Sequence, residues 1–171
     1  EAATEPADEP PVGDAGPGQL RTTIHEYRDP AGELLLTAAL CSDARVQRGP
    51  DGDWRSFGDP SEAAIVSAAI GLGERWGQLE METTRVATEP FSSEKRMMTT
   101  THAREGSTFI AAKGAFEQIA RWAGGEHERL RAEVHALGDL GYRVFAVARE
   151  ADGHREMLGA VVLEDPIRAD A

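Results

Sequence analysis

Two periods alternate along this chain. "TTIHEYR" at 22–28 predicts a strand, followed by turn chemistry in "DPAG" at 29–32. "ELLLTAALCSDA" at 33–44 is helix-forming and apolar on most sides, predicting a buried helix. "VQRGPDGDWRSF" at 46–57 predicts a hairpin around Pro50, Asp51 and Gly52. "GDPSEAAIVSAAIGLGERW" at 58–76 predicts one long helix, with Ile65, Ala69, Leu72 and Trp76 at helical spacing. Asp59 suits its cap, Pro60 its first turn, and Glu62 the acid of a capping box.

Strand patterns follow in "TRVATEPF" at 84–91, "KRMMTTTHA" at 95–103 and "STFIAAKG" at 107–114, with a turn at "REG". "AFEQIARWA" at 115–123 predicts a short helix ending near Gly124 and Gly125. "HERLRAEVHALGDLG" at 127–141 is amphipathic, with Leu130, Val134 and Leu137 on one face. "YRVFAVARE" and "REMLGAVVLED" predict strands joined at "ADGH". Antiparallel pairs interleaved with helices predict an α+β fold: a mainly antiparallel twisted sheet flanked by helices.

Composition changes this picture at one end. Residues 1–19 contain five acidic residues, no basic ones and almost no large apolar side chain. Such a stretch cannot bury enough surface to offset its ordering entropy, so 1–20 reads as a disordered acidic tail or insertion and the folded domain as 21–164. The net charge of −12 argues against nucleic acid or an anionic membrane surface as partner. No run approaches the roughly 20 apolar residues of a membrane helix, and no signal-peptide pattern opens the chain, so a water-soluble piece is expected. Cys41 is the single cysteine, which excludes an internal disulfide and fits a reducing compartment. The five histidines make no metal spacing with it or with each other, and no metal site is expected.

A nucleotide requires a flat face for its base, an acceptor for an exocyclic amine, and cations or backbone N–H groups for its phosphates. Phe91, Glu62 and the set Arg96, Lys113 and Arg143 are one candidate for each, and Gly114 lacks a Cβ that would block a flat ligand. No Walker or dinucleotide glycine loop is present. Taken singly, each has an ordinary reading. Phe91 is a core aromatic at a strand end, Glu62 a capping acid, Arg96 and Lys113 solvated strand positions, Gly114 a turn glycine.

Order narrows the choice. "ALCSDA", "GDPSEAA", "PFSSEKRMM", "KGAFEQI", "LGYRVFAVA" and "GAVVLEDPIR" in succession resemble the nucleotide-binding domain of a P-type cation-transporting ATPase. The resemblance is to the calcium-pump and sodium/potassium-pump branch, and it spans about 34–168. It implies that Phe91 stacks on adenine and Glu62 lies near the adenine amine. It implies that Lys113 and Gly114 line the base pocket, Arg96 lies close to the nucleotide and Arg143 reaches toward the phosphates. It also implies that Asp165 and Arg168, within 165–171, form a hinge toward a phosphorylation domain.

The implied activity is to hold Mg-ATP and present its γ-phosphate to an aspartate in that separate domain. Magnesium would be held mainly by the phosphates and the phosphorylation domain. The implied partners are the phosphorylation and actuator domains of one parent chain, a membrane protein whose cytoplasmic part this would be. The isolated piece, expected to be monomeric, would bind ATP and hydrolyse almost none. Three departures from the family pattern stand out: Phe116 where relatives usually carry proline, Arg96 where they usually carry lysine, and Ser93 where some carry arginine. They leave room for an alternative, a degenerate module that keeps the fold without effective ATP binding.

Overall fold

The last two strands carry near-continuous apolar runs that are buried on both faces, and they form the centre of the fold. The computed structural model describes residues 21–26 and 31–164. In it β7 (Arg143–Ala151) and β8 (His154–Glu164) pair antiparallel across the "ADGH" turn. β1 (Arg21–Glu26) lies outside β8. β6 (Ser107–Gly114), β5 (Met97–Arg104) and β4 (Thr84–Glu89) follow outside β7. The result is one six-stranded sheet in the order β1-β8-β7-β6-β5-β4, antiparallel at every pairing. The α+β expectation is met.

Helices cover both faces. On one, α1 (Ala31–Leu40) packs with α2 (Pro60–Ile70) over Val147, Leu158, Val161 and Leu163. On the other, α4 (Phe116–Ala123) and α5 (Glu128–Asp139) pack over Ala112, Ala146, Ala148 and Ala160. Successive strand residues point to opposite faces, so odd and even positions of β7 serve different cores. Small side chains on the second face leave room for a bulky one, and Phe116 occupies it. A separate ribbon, β2 (Arg45–Arg48) with β3 (Trp54–Phe57), forms the predicted hairpin.

Four boundaries differ from expectation. The long helix of 58–76 is two: α2 stops at Ile70, and α3 (Glu74–Glu82) restarts after Gly73, whose positive φ of 62° interrupts the helix. The helix of 33–44 ends at Leu40, because Ser42 Oγ donates to the carbonyl of Ala38 and other side chains take that of Leu40. The strand of 84–91 stops at Glu89, before Pro90, which has no N–H to donate. Lys95 and Arg96 precede β5 rather than forming part of it. Ser92 closes a turn there, its Oγ accepting from Lys95 N and its carbonyl from Arg96 N, with Arg96 at φ 52°. Lys95 pairs with Glu89 instead of alternating along a strand.

The acidic segment 1–20, Asp29 and Pro30 of the "DPAG" turn and the hinge residues Asp165 and Arg168 lie outside the described residues, while Ala31 and Gly32 open α1. No helix among the described residues is long and apolar enough to cross a membrane.

Candidate functional site

Antiparallel register places the predicted residues at one end of the sheet. Met97 pairs with Gly114, Glu89 with Thr99, Arg143 with Leu163 and Arg21 with Glu164, so β4, β6 and β8 finish where β1, β5 and β7 begin. Phe91 follows β4, Arg96 precedes β5, Lys113 and Gly114 end β6, and Arg143 opens β7. Glu62, in the first turn of α2, reaches the same end from above.

Two of these residues meet directly. The ammonium of Lys113, only 4% exposed, donates to Glu62 Oε1 at 2.9 Å and to Ser42 Oγ at 2.7 Å. It lies 5.9 Å from the centroid of the Phe145 ring. Glu62 Oε2 accepts from the backbone N–H groups of Asp43 at 2.8 Å and Ala44 at 3.2 Å. A buried lysine requires such a counter-charge and polar acceptors.

The capping box is therefore half made. Asp59 Oδ1 accepts from Ser61 N and Glu62 N, but the Glu62 side chain turns to Lys113 and the 43–44 backbone. Arg143 Nη1 donates to Ser61 Oγ at 3.1 Å, which ties β7 to the residue beside Glu62. Cys41 packs nearby and donates to the carbonyl of Ala111 at 3.4 Å. Burial pushes its thiol up to about 11, so it stays protonated.

The remaining residues are placed differently. Phe91 is 58% exposed, the reverse of a core aromatic. Gly114 is buried, and the volume a Cβ would take is filled by protein: Arg96 O at 2.5 Å and Met97 Cα at 2.6 Å. Its lack of a side chain serves the closure of β5 onto β6. Arg96 lines a cavity of about 440 Å³ with Ala115, Phe116, His135 and Tyr142, on the α4/α5 side. Glu62 and Lys113 lie on the α1/α2 side. Phe116 is the first residue of α4, a position that proline also suits, and its ring packs inward beneath α5.

Sequence reasoning missed Ser42, Ser61 and Arg85 as parts of this assembly. The two serines lay inside quoted phrases, "ALCSDA" and "GDPSEAA", without a role. Nothing local marked Arg85, whose contacts are to residues more than forty positions away.

The sequence model of one family, described as P-type ATPase, cytoplasmic domain N, matches residues 31–122, which contain Glu62, Phe91, Arg96, Lys113 and Gly114. The chain belongs to this family. Its N domain is similar to part of the "Cation-transporting ATPase pma1" of Synechocystis sp., 29% identical over 69% of this chain and 14% of that protein. It is 38% identical to the "Probable cation-transporting ATPase F" of Mycobacterium bovis over 54% of the chain and 10% of that protein. It is 28% identical to the "Sodium/potassium exporting P-type ATPase cta3" of Schizosaccharomyces pombe over 81% and 16%. The chain thus spans about one-sixth or less of the length of these relatives.

Proposed function

We propose that this N domain binds ATP for a cation pump of the calcium-pump and sodium/potassium-pump branch. Adenine stacks on Phe91, the Glu62–Lys113 pair meets the edge of the base, and Arg143 and Arg96 attract the phosphates. The observation that carries this reading is the exposed Phe91 ring at the sheet end shared with a buried, oriented carboxylate–ammonium pair. A large apolar ring left in water gains from a flat partner. A carboxylate is an acceptor only and suits an amino group on that partner.

The domain's contribution to the reaction is positioning. Phosphoryl transfer depends chiefly on geometry and charge stabilisation, and the γ-phosphate passes to an aspartate of a separate phosphorylation domain. Magnesium travels with the triphosphate, held mainly by the phosphates and by that domain. The actuator domain and the membrane part belong to the same parent chain, with this domain on its cytoplasmic side. The chain alone binds ATP weakly and does not hydrolyse it appreciably, because one stacked ring and a few exposed ionic contacts must offset the cost of association.

Titration with Mg-ATP, followed by backbone amide shifts, tests this. Phe91→Ala should weaken ATP roughly tenfold, since stacking on an aromatic is worth about 1–3 kcal/mol per base. Unchanged affinity would remove Phe91 from the site. The alternative, an N-domain-like module without effective ATP binding, draws on Arg96, which lies on the α4/α5 side. An absence of amide shifts at millimolar ATP would decide for it.

A further inference from the structure

The turn that holds Glu62 is itself held from the edge of the sheet. After α1 the chain runs through Cys41, Ser42, Asp43 and Ala44, and the last two give Glu62 its backbone donors. The carbonyls left at the end of α1 need partners. Arg85 on β4 supplies them: Nη2 donates to Leu40 O at 2.6 Å and to Ser42 O at 2.5 Å, while Nη1 donates to Asp43 Oδ1 at 2.6 Å. One planar guanidinium therefore ties three successive points of the turn.

A β-bulge puts Arg85 in position. It pairs with His102, whereas Ala87 pairs with Thr101, so Val86 is an extra residue in β4. Such a bulge re-aims side chains on either side of it. Arg85 and Thr88, three positions apart, both lie opposite residues of the α1 face, and β4 then continues toward Phe91. The strand that anchors the turn is the strand that delivers the exposed ring.

We propose that Arg85 is a positioning residue for base recognition. It fixes the 42–44 turn, and through it the Glu62 carboxylate and the Lys113 ammonium, without touching the ligand. This rests on the nucleotide reading above and extends it. Because the turn directs the acceptor capacity left on Glu62, Arg85 governs discrimination between purines with an amino group at position 6 and those with an oxygen there. It has little influence on the grip on the phosphates.

The test compares wild-type chain with R85A, R85Q and R85K, titrated with ATP and with inosine triphosphate. Amide hydrogen exchange at Asp43 and Ala44 is measured in parallel without nucleotide. R85A and R85Q should weaken ATP roughly three- to tenfold, the scale of one ordinary hydrogen bond between Glu62 and the base. Inosine triphosphate binding should barely change, and the two amides should exchange faster. R85K should recover only part of the effect, because an ammonium cannot reproduce a planar fork.

Unchanged exchange at Asp43 and Ala44 would overturn the proposal, as would proportional loss of both nucleotides, which a merely structural role predicts. Should R85A fail to fold, R85K carries the same comparison. Failure of the nucleotide reading looks different, since the wild type would then bind neither nucleotide while the exchange measurement still reports on the turn.

Discussion

Lys113 and Glu62 form one ion pair across 51 positions of sequence, but they depend on it unequally. Lys113 is 4% exposed and has Glu62 and Ser42 as hydrogen-bond acceptors. Glu62 is 17% exposed and keeps two backbone donors whatever happens to Lys113. The lysine is the member that cannot be left alone.

The two single substitutions should therefore cost different amounts. Glu62→Ala strands a buried ammonium and also frees the Asp43 and Ala44 amides, so a loss of about 3–5 kcal/mol is expected. Lys113→Met replaces the stem with an apolar chain of similar length and should cost about 1–3 kcal/mol. Urea denaturation of both variants measures this. A larger loss for Lys113→Met would show that Glu62 is the dependent partner. Either variant needs its folded fraction checked before an effect on ATP is assigned to contact with the base.

Phe116, the departure from the proline that the family resemblance implies, has a structural role. It is 5% exposed, meets the His135 ring edge-on at 6.5 Å and lies under the Arg131 guanidinium at 5.7 Å. Phe116→Pro keeps an acceptable first residue for α4 but removes the ring from the core. Stability should fall by about 2–4 kcal/mol, the scale of emptying a core aromatic site. ATP affinity of the folded protein should stay within about twofold, given that Glu62 and Lys113 lie on the other face and that Arg96, beside Phe116, is an exposed cation whose ionic contact is worth little. A calorimetric melt with an ATP titration on the same sample separates the two effects.

What was legible in the sequence was local. β6 matches its predicted span because its β-branched and aromatic residues and the "REG" turn lie within a few residues of one another. The β7–β8 hairpin was readable for the same reason. The break between α2 and α3 was missed because Ile65, Ala69, Leu72 and Trp76 keep helical spacing across Gly71 and Gly73. Spacing does not report a positive φ. Glu62 and Lys113 were named as members of a site, but their mutual bond comes from tertiary packing, as does the clamp made by Arg85. The exposure of Phe91 was equally unreadable, since a phenylalanine after Pro90 looks like a core residue until the sheet is assembled.

Gly114 illustrates a role that changed. A Cβ there would lie 2.5 Å from Arg96 O and 2.6 Å from Met97 Cα, both backbone atoms that cannot swing aside. Gly114→Ala should force β5 away from β6 at its first pair and cost about 1–3 kcal/mol, as overpacking does. The hydrogen bond from Ala115 N to Arg96 O, 2.9 Å long, should be the first to loosen. Faster amide exchange at Ala115, with little change at Lys113 or Ala112, is the expected pattern. Exchange as slow as in wild type would mean the strands absorb the methyl group.

His102 should make the domain sensitive to acid well above the carboxylate range. The ring is buried and stacks on Phe109 at 5.2 Å, with Nε2 2.8 Å from Thr100 Oγ1. Thr100 Oγ1 donates to Leu40 O at 3.4 Å, which assigns the His102 proton to Nε2 and leaves Nδ1 bare. Among the described residues Nδ1 has no partner, and protonating it would bury a charge. Burial, and secondarily the Arg85 charge opposite, lower the imidazole from 6.5 to about 4. Above pH 6.5 the ring is neutral in folded and unfolded chains and contributes no pH dependence. As pH falls from about 6.5 to about 4, the unfolded chain gains a proton that the folded chain refuses, and stability drops. The loss should reach about 2 kcal/mol at pH 5. His102→Gln lacks the titrating group, so its stability should change less between pH 7 and pH 5 than that of wild type. Equal losses in the two proteins, measured by urea denaturation, would place the acid sensitivity elsewhere.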